Sequence, residues 1–161
     1  MDDFEFLDPG LLNDGELELV VIETTPGDPS REWLPVYVFE MRVGGRKAGA
    51  LNLRIGNTHG IVMYGGHIGY SVETEHRGHH YAERACRLVL PLAKAHGLRT
   101  IWITCNPDNM PSCRTCERLG AELVEIVRLP EDNDQYLAGD REKCRYRLDL
   151  GTEGHVRFGP S

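Results

Sequence analysis

The chain has 161 residues, of which 40% are hydrophobic, so it is long enough for one domain with a substantial core. Its formal net charge of −7 excludes the basic face that nucleic-acid binding requires, and it favours a cationic partner or substrate. No segment approaches the ~20 apolar residues of a membrane span, and the acidic start MDDFEFLDPG is unlike a signal peptide. We therefore expect a cytoplasmic protein that binds neither nucleic acid nor membrane.

The first half of the chain predicts an antiparallel meander. Segments rich in β-branched and aromatic residues alternate with short turns that contain glycine, proline or asparagine. Gly44 and Gly45 are typical of a tight hairpin turn. The predicted strands of this half cover 16–24, 34–43, 48–55, 61–64 and 67–72.

The second half changes to helical periodicity. Small and apolar residues recur every three or four positions from Ala82 to His96, and Gly97 is the expected end of this helix. The remaining predicted elements are a buried strand over 100–105, a helix from a cap at Asn109 to Leu119, and strands over 121–129 and 143–150. This order predicts one mixed α+β domain over 1–150, followed by a flexible tail over 151–161.

The stretch HIGYSVETEHRGHHYA, residues 67–82, lies where a predicted strand passes into the first long helix. The first turn of a helix has unpaired N–H groups and the positive end of the helix dipole, which suits an anion. Gly78 would let the backbone approach such an anion, and Arg77 adds positive charge. No Gly-Lys-Ser/Thr follows, so this is not the loop of a nucleoside triphosphatase. A simple tight turn is the alternative interpretation.

Two motifs make the chain resemble the GNAT superfamily of acetyl-CoA-dependent N-acetyltransferases, over about residues 16–150. The family pattern Val-x-Pro-x-x-Arg-Gly-x-Gly-x-Gly/Ala reads here VETEHRGHHYA, from Val72 to Ala82. The branch of ribosomal-protein N-terminal acetyltransferases is similar in four places. These are His67-Ile68-Gly69-Tyr70, the helix start His80-Tyr81-Ala82, then Asn109-Met110-Pro111-Ser112, and Glu117-Arg118-Leu119-Gly120-Ala121.

The resemblance implies a central twisted mixed sheet of about seven strands with two main helices. It also implies acetyl-CoA as co-substrate and transfer of its acetyl group to a primary amine by direct attack. The acceptor is a small-molecule or protein amine, expected to be cationic, and the protein is a monomer or a homodimer. The residues that would bind the cofactor are Tyr70, Val72, Arg77, Gly78, His79, His80, Tyr81, Ala82 and Asn109.

Three residues are catalytic candidates by this resemblance. His67 stands where the branch has a glutamate base, and the reference pKa of histidine, ~6.5, already suits a base near neutrality. Ser112 matches a serine that can hydrogen-bond the CoA sulfur. Cys116 stands where the wider superfamily often has a tyrosine acid. The alternative roles are a histidine that packs, an ordinary first-turn serine and a small buried residue.

The chain departs from the family in two places. His80 replaces the second loop glycine, so a positive φ at this position would strain the backbone. The segment between the first two strands lacks the helices that usually form one wall of the acceptor cleft. The acidic loop over 131–140 could supply that wall, although charged loops are more often only solvated.

Two other classes of protein remain as alternatives. One is a metal-binding protein that would use Cys113-x-x-Cys116 with His76, His79 and His80. The sequence has no second cysteine pair at zinc-finger spacing, so we expect no metal. The five cysteines form no regular framework and predict reduced thiols. The other alternative is a CoA-binding sensor or interaction module without catalysis.

Overall fold

The computed structural model describes residues 4–151 and 159–160. Its strands are β1 (Leu7–Asp8), β2 (Leu12–Asn13), β3 (Leu17–Thr25), β4 (Val36–Val43), β5 (Arg46–Arg54), β6 (Ile68–Val72), β7 (Thr100–Cys105), β8 (Glu122–Arg128), β9 (Glu142–Asp149) and β10 (Gly159–Pro160). Its α-helices are α1 (Tyr81–Ala95), α2 (Met110–Leu119) and the single turn α3 (Asp134–Leu137). In the described part of the chain, no helix is long and apolar enough to cross a bilayer.

The first sheet is antiparallel and has the order β2-β3-β4-β5-β6, which confirms the predicted meander. Gly44 and Gly45, at φ +60° and +78°, form the two-residue turn between β4 and β5. Inward-facing side chains alternate along these strands, and those of Tyr37, Phe39 and Leu51 are fully buried. The sheet therefore presents one apolar face to the helices.

The second sheet is antiparallel in the order β7-β9-β8. Among the described residues, one main-chain hydrogen bond joins it to the first sheet, from the His67 N–H to the Trp102 C=O at 2.7 Å. The seven longer strands, β3 to β9, confirm the predicted mixed α+β fold, but they lie in two antiparallel sheets where one mixed sheet was expected. A short pair of strands, β1 and β10, lies outside these two sheets.

The two long helices pack against the apolar face of the sheets. Helix α1 buries a stripe of side chains that consists of Tyr81, Ala82, Ala85, Cys86, Val89, Leu92 and Ala93. The side chain of Asn109 caps α2 by accepting from the Ser112 N–H, and Gly120 ends it at φ +87°. Gly97 follows α1 at φ +88°. These helix ends are where the sequence predicted them.

Three predicted segments differ in the structure. Residues 61–64 do not form a strand but lie within a π-helical turn, Ile61–Gly65. Carbonyl groups of this turn accept hydrogen bonds from the side chains of Arg54, Thr104 and Arg145. The acidic loop contains α3. Of the tail expected to be flexible, Gly151 is described and Gly159–Pro160 pair with β1; residues 152–158 and 161 lie outside the described residues.

Candidate active site

A cleft opens between β6 and β7, in the middle of the molecule. The Arg54 N–H donates to the His67 C=O, and the Glu73 N–H donates to the Ala48 C=O. Because main-chain groups alternate in direction along a strand, residues 69 and 71 also face β5, whereas Tyr70 and Val72 face β7. Among the described residues, no ladder of hydrogen bonds joins β6 to β7. The N–H groups of Tyr70 and Val72 are therefore free to bind a ligand in the cleft.

His67 lies at the closed end of this cleft and is completely buried. Its Nδ1 accepts the Trp102 N–H at 2.9 Å, and its Nε2 lies 2.9 Å from the Gly56 oxygen and 3.0 Å from the Asn57 Oδ1. Both acceptors require the proton on Nε2, so the basic nitrogen is already used by Trp102. Burial lowers the pKa of His67, and the nearby charge of Arg54 lowers it further.

This geometry favours a positioning role for His67. To take up a proton, the ring would have to release the Trp102 N–H, which would then be a buried donor without a partner. The role of His67 as a general base stays a prediction, but the arrangement leaves no nitrogen available for it.

The far end of the cleft leads to the N-terminus of α1. None of the main-chain N–H groups over 78–83 bonds to a described residue. Gly78 is at φ +94°, and a Cβ added there would meet no atom within 4 Å. Arg77 is exposed, and its Nε donates to the Val72 C=O at 3.1 Å. Of the predicted residues, Gly78 to Ala82 thus form a cradle of unpaired main-chain donors, as an anion site requires, and Arg77 lies beside it.

His80 occupies the left-handed region at φ +61° and ψ +28°. The sequence predicted strain at this position if a positive φ was needed, and the structure confirms that it is. His80 precedes the first residue of α1, but its side chain makes no capping hydrogen bond. The backbone therefore has the shape that a glycine would favour, with a histidine in its place.

Tyr70 and Ser112 come together across the helix side of the cleft. Their hydroxyl groups are joined by a hydrogen bond of 2.8 Å. Burial raises the pKa of Tyr70, so its phenol is protonated at neutral pH. Ser112 lies in the first turn of α2, where the Asn109 cap holds its N–H at 3.3 Å. The structure thus brings together Tyr70, Asn109 and Ser112, three residues that the resemblance to the family predicted for the site.

Cys116 is not at the cleft surface. It is completely buried, and a hydrogen bond with its thiol, together with burial, raises the pKa of Cys105. Cys105, Cys113 and Cys144 form a cluster whose sulfur atoms all lie within 4.8 Å of one another. Cys105 and Cys144 face each other across β7 and β9, which the sequence alone could not show. The sequence had suggested Cys113 and Cys116 with three histidines as alternative metal ligands. The fold does not bring these residues together, because no histidine of the described residues belongs to the cysteine cluster.

An ionic network that the sequence did not predict fixes the start of α1. Arg84 contacts Asp14 at 2.6 Å and Glu16 at 3.0 Å, and the Tyr81 hydroxyl donates to Glu16 at 3.0 Å. The hydrogen bond that Asp14 accepts from Arg84 lowers the pKa of Asp14, and a hydrogen bond from the same guanidinium lowers the pKa of Glu16. The side chain of Tyr81 thus points to the protein, and only its main chain is left for a ligand.

The face of the second sheet away from the helices is polar. Here Lys143 donates to Asn106 at 2.6 Å and to Asp140 at 3.2 Å. Arg145 lies over the Trp102 ring at 4.1 Å and donates to the Val62 C=O at 3.0 Å. The π-helical turn and the loop with α3 cover this face, since the Gln135 side chain donates to the Tyr64 C=O at 3.2 Å.

Comparisons with known proteins agree with this architecture. The family model of the GNAT acetyltransferase domain matches residues 19–122. A solved structure of RimL, a ribosomal L7/L12 α-N-protein acetyltransferase in complex with coenzyme A, has a TM-score of 0.66 at 13% identity, over 89% of this chain and 100% of that chain. An acetyltransferase of Salmonella typhimurium that modifies the N-terminal serine of L7/L12 has a TM-score of 0.65 at 14% identity, over 88% and 100%.

A third similar structure is the microcin C7 self-immunity acetyltransferase MccE with acetyl-CoA and AMP. Its TM-score is 0.56 at 19% identity, over 71% of this chain and 61% of that chain. No curated protein sequence matches the chain. At these identities the likeness between structures establishes the fold.

Proposed function

The chain belongs to the GNAT acetyltransferase family, and on this premise we propose that it moves the acetyl group of acetyl-CoA to a primary amine by direct attack. The observation that carries the proposal is a path marked by two groups of unpaired main-chain donors, between which the N–H groups of Glu73, His76 and Arg77 are paired. This path runs from Tyr70 and Val72 in the cleft to the cradle over 78–83 at the start of α1. A long, thin ligand with an anionic end fits such a path, and CoA has this form.

In the bound state, the pantetheine arm lies along β6 and the pyrophosphate lies on the α1 cradle. The N–H groups of Gly78 to Ala82 supply the donors, and Arg77 adds charge beside them. The side chains of His79 and His80 are exposed and border the same turn. Asn109 contributes through α2, since its cap holds Ser112 in place. We assign this site to a single domain over 1–150.

The chemistry follows from the positions of these groups. The acceptor reacts as the neutral amine, after its ammonium group has released one proton to water, and its nitrogen attacks the thioester carbon. The N–C bond forms as the C–S bond breaks, while a main-chain N–H of β6 stabilises the charge on the carbonyl oxygen. The nitrogen then carries one surplus proton, which passes to the Ser112 hydroxyl as Ser112 gives its own proton to the CoA thiolate, so that the products are the amide and the CoA thiol; the protonated Tyr70 holds the Ser112 hydroxyl in place. No metal is needed for any of these steps, and we propose none.

The acceptor that we propose is the N-terminal amine of a peptide or protein. This is the kind of amine that RimL acetylates according to its name, and the overall fold is similar over the full length of that protein. The five cysteines are all free and buried, which suits a reducing compartment, so we propose that the reaction takes place in the cytoplasm.

A panel of amines, incubated with acetyl-CoA and the protein, tests the proposal. We expect release of the CoA thiol with at least one peptide amine and a product heavier by one acetyl group. CoA should also raise the melting temperature, because it binds only the folded state. Binding without turnover on any amine would favour the alternative, a CoA-binding module without catalysis.

A further inference from the structure

Arg54 is an arginine at the end of β5, on the face of the sheet away from the helices. Its neighbour in sequence, Leu53, is completely buried on the helix face, so Arg54 projects to the opposite side. Its NH1 donates to the Gly66 oxygen at 2.9 Å and to the Gly65 oxygen at 3.3 Å. Most of the residue is shielded from solvent, and this burial lowers its pKa.

The guanidinium of Arg54 meets no anionic group in the described part of the chain. Within residues 4–151 and 159–160, no carboxylate makes an ion pair with it, and neither its Nε nor its NH2 donates to any of these residues. The cations of β9 behave differently, because each reaches a carboxylate. These pairs are Lys143 with Asp140, Arg145 with Glu125, and Arg147 with Glu122. A partly buried charge without a partner is unusual in a chain whose net charge is −7.

The NH2 side of the Arg54 guanidinium lies against β6, the strand that borders the cleft. A Cβ added to Gly69 would lie 3.2 Å from NH2, so the plane of the group sits against β6 where that strand has no side chain. The next residue, Tyr70, points its side chain to the opposite face, where its hydroxyl meets Ser112 of α2. Arg54 is therefore beside the proposed reaction centre, on the face that the helices leave open.

An acceptor amine must approach the thioester from this same face. The α1 cradle, α2 and Ser112 surround the proposed CoA path on the helix side. An amine that enters from the other side passes along β6, next to Arg54 and beside the π-helical turn that covers β7. An anionic group on the acceptor, close to its amine, would then meet the unpaired guanidinium.

We propose that Arg54 binds a carboxylate of the acceptor and so selects amines that carry a carboxylate a few bonds away. This inference rests on the proposed function and specifies its substrate class. The group is either an acidic side chain near a peptide N-terminus or the α-carboxylate of a free amino acid. A guanidinium is suited to this task, because its parallel N–H donors match the two oxygens of a carboxylate.

Matched acceptors test this proposal. The first pair is two peptide amides that differ only in aspartate or asparagine as the first residue. The second pair is free alanine and alaninamide. In each pair the two acceptors have nearly the same shape, and only one carries the carboxylate. The measured quantity is the ratio of kcat/KM values within a pair, since partial loss of folded protein lowers both values equally.

For the unmodified protein we expect a ratio of about 10–100 in favour of the carboxylate for one of the pairs, as hydrogen bonds to charged groups contribute about 1.5–3 kcal/mol. Arg54→Gln should bring the ratio close to one, and its amide can still donate to the Gly66 oxygen. Arg54→Lys should retain part of the preference. The control is Arg42→Gln on β4, where the arginine already pairs with Glu40 at 2.7 Å; its ratio should not change.

Calorimetric binding of the aspartate peptide to the protein with CoA gives a readout that needs no turnover. Binding that weakens at least tenfold in Arg54→Gln, but not in Arg42→Gln, supports the inference even if no acetyl transfer occurs; in that case only the proposed function fails. A ratio near one in the unmodified protein, or equal binding by the protein and its Arg54→Gln variant, overturns the inference.

Discussion

The His67 ring shows how a residue can occupy a catalytic position of a family pattern and yet be fully engaged by its surroundings. Its contacts join three separate parts of the chain, namely β6, the turn at Gly56 and Asn57, and Trp102 of β7. None of these partners is near it in sequence. A sequence pattern could therefore place His67 at the site, but it could not show that both nitrogens are used.

His67→Gln separates a base from a positioning residue. Glutamine has one donor and one acceptor in its side-chain amide, so it can keep part of the contacts that the ring makes. We expect a folded variant whose turnover falls by less than about tenfold, with an unchanged acidic limb in the pH–rate profile. A general base contributes ~10²–10⁴-fold. A loss of that size, together with a flattened acidic limb, would assign the base to His67 and contradict the positioning role.

The same residue should make stability depend on pH. Burial lowers the pKa of His67 in the folded protein below its ordinary value of 6.5. As pH falls below about 6.5, the unfolded chain gains a proton that the folded protein does not, so the free energy of unfolding decreases. Urea unfolding between pH 5 and 8 should show this decrease, and it should be smaller in His67→Gln. The remainder should reflect His96, whose pKa burial also lowers. Equal pH dependence in the two proteins would contradict this account.

His80 gives a second prediction at the scale of one residue. A residue with a Cβ is strained in the left-handed region, and glycine is not. We expect His80→Gly to stabilise the protein by up to ~1 kcal/mol, or about 2–4 °C in Tm. The control is His79→Gly, because His79 does not have a positive φ and the same change should destabilise there. A lower Tm for His80→Gly than for the unmodified protein would show that the side chain makes a compensating interaction.

At the scale of an element, α1 combines a structural role with a proposed binding role. Its apolar stripe packs in the core, while its first turn presents free N–H groups to the cleft. The same helix has glycines at similar φ values beside both ends, Gly78 at +94° and Gly97 at +88°, and a Cβ at either would meet open space. This symmetry provides a matched pair of substitutions.

Gly78→Val should abolish the rise in melting temperature that CoA produces, because the new side chain occupies the space beside the proposed pyrophosphate. Gly97→Val imposes a similar backbone strain, of order 1–3 kcal/mol, at the other end of the helix. We expect Gly97→Val to lower the Tm in the absence of ligand but to keep the full CoA shift. Dephospho-CoA should produce most of the shift of CoA in the unmodified protein. A full CoA shift in Gly78→Val would remove the anion cradle from the site.

The elements themselves could be predicted well wherever local chemistry determines them. Asn109 and Gly120 mark the ends of α2 because capping and a positive φ depend on single residues. The segment over 61–64 could not be predicted, because its apolar residues suit a strand. Its π-helical turn is held by Arg54, Thr104 and Arg145, which come from three other strands. Long-range contacts of this kind leave no local pattern.

At the scale of the whole molecule, the two larger sheets share one main-chain hydrogen bond among the described residues and then diverge. The meander and the strand–helix alternation allowed the mixed α+β class to be predicted from the order of elements, but not the division into two antiparallel sheets. The cysteine cluster could not be predicted in the same way. It depends on the register of β7 against β9, which places Cys105 opposite Cys144, and on the face of α2 that carries Cys113.

The divergence of the sheets has a consequence for the exchange of amide hydrogens with solvent deuterium. Strands in the interior of a sheet normally protect their amides, since each N–H has a partner. The amides of Tyr70 and Val72 should instead exchange quickly, although β6 lies between β5 and β7, while those of Gly69 and Ser71 should exchange slowly. Bound CoA should slow the first pair and leave the second nearly unchanged. Such an alternation, one residue in two along a single strand, would map the ligand path without any substitution; uniform protection along β6 would mean that the cleft closes in solution.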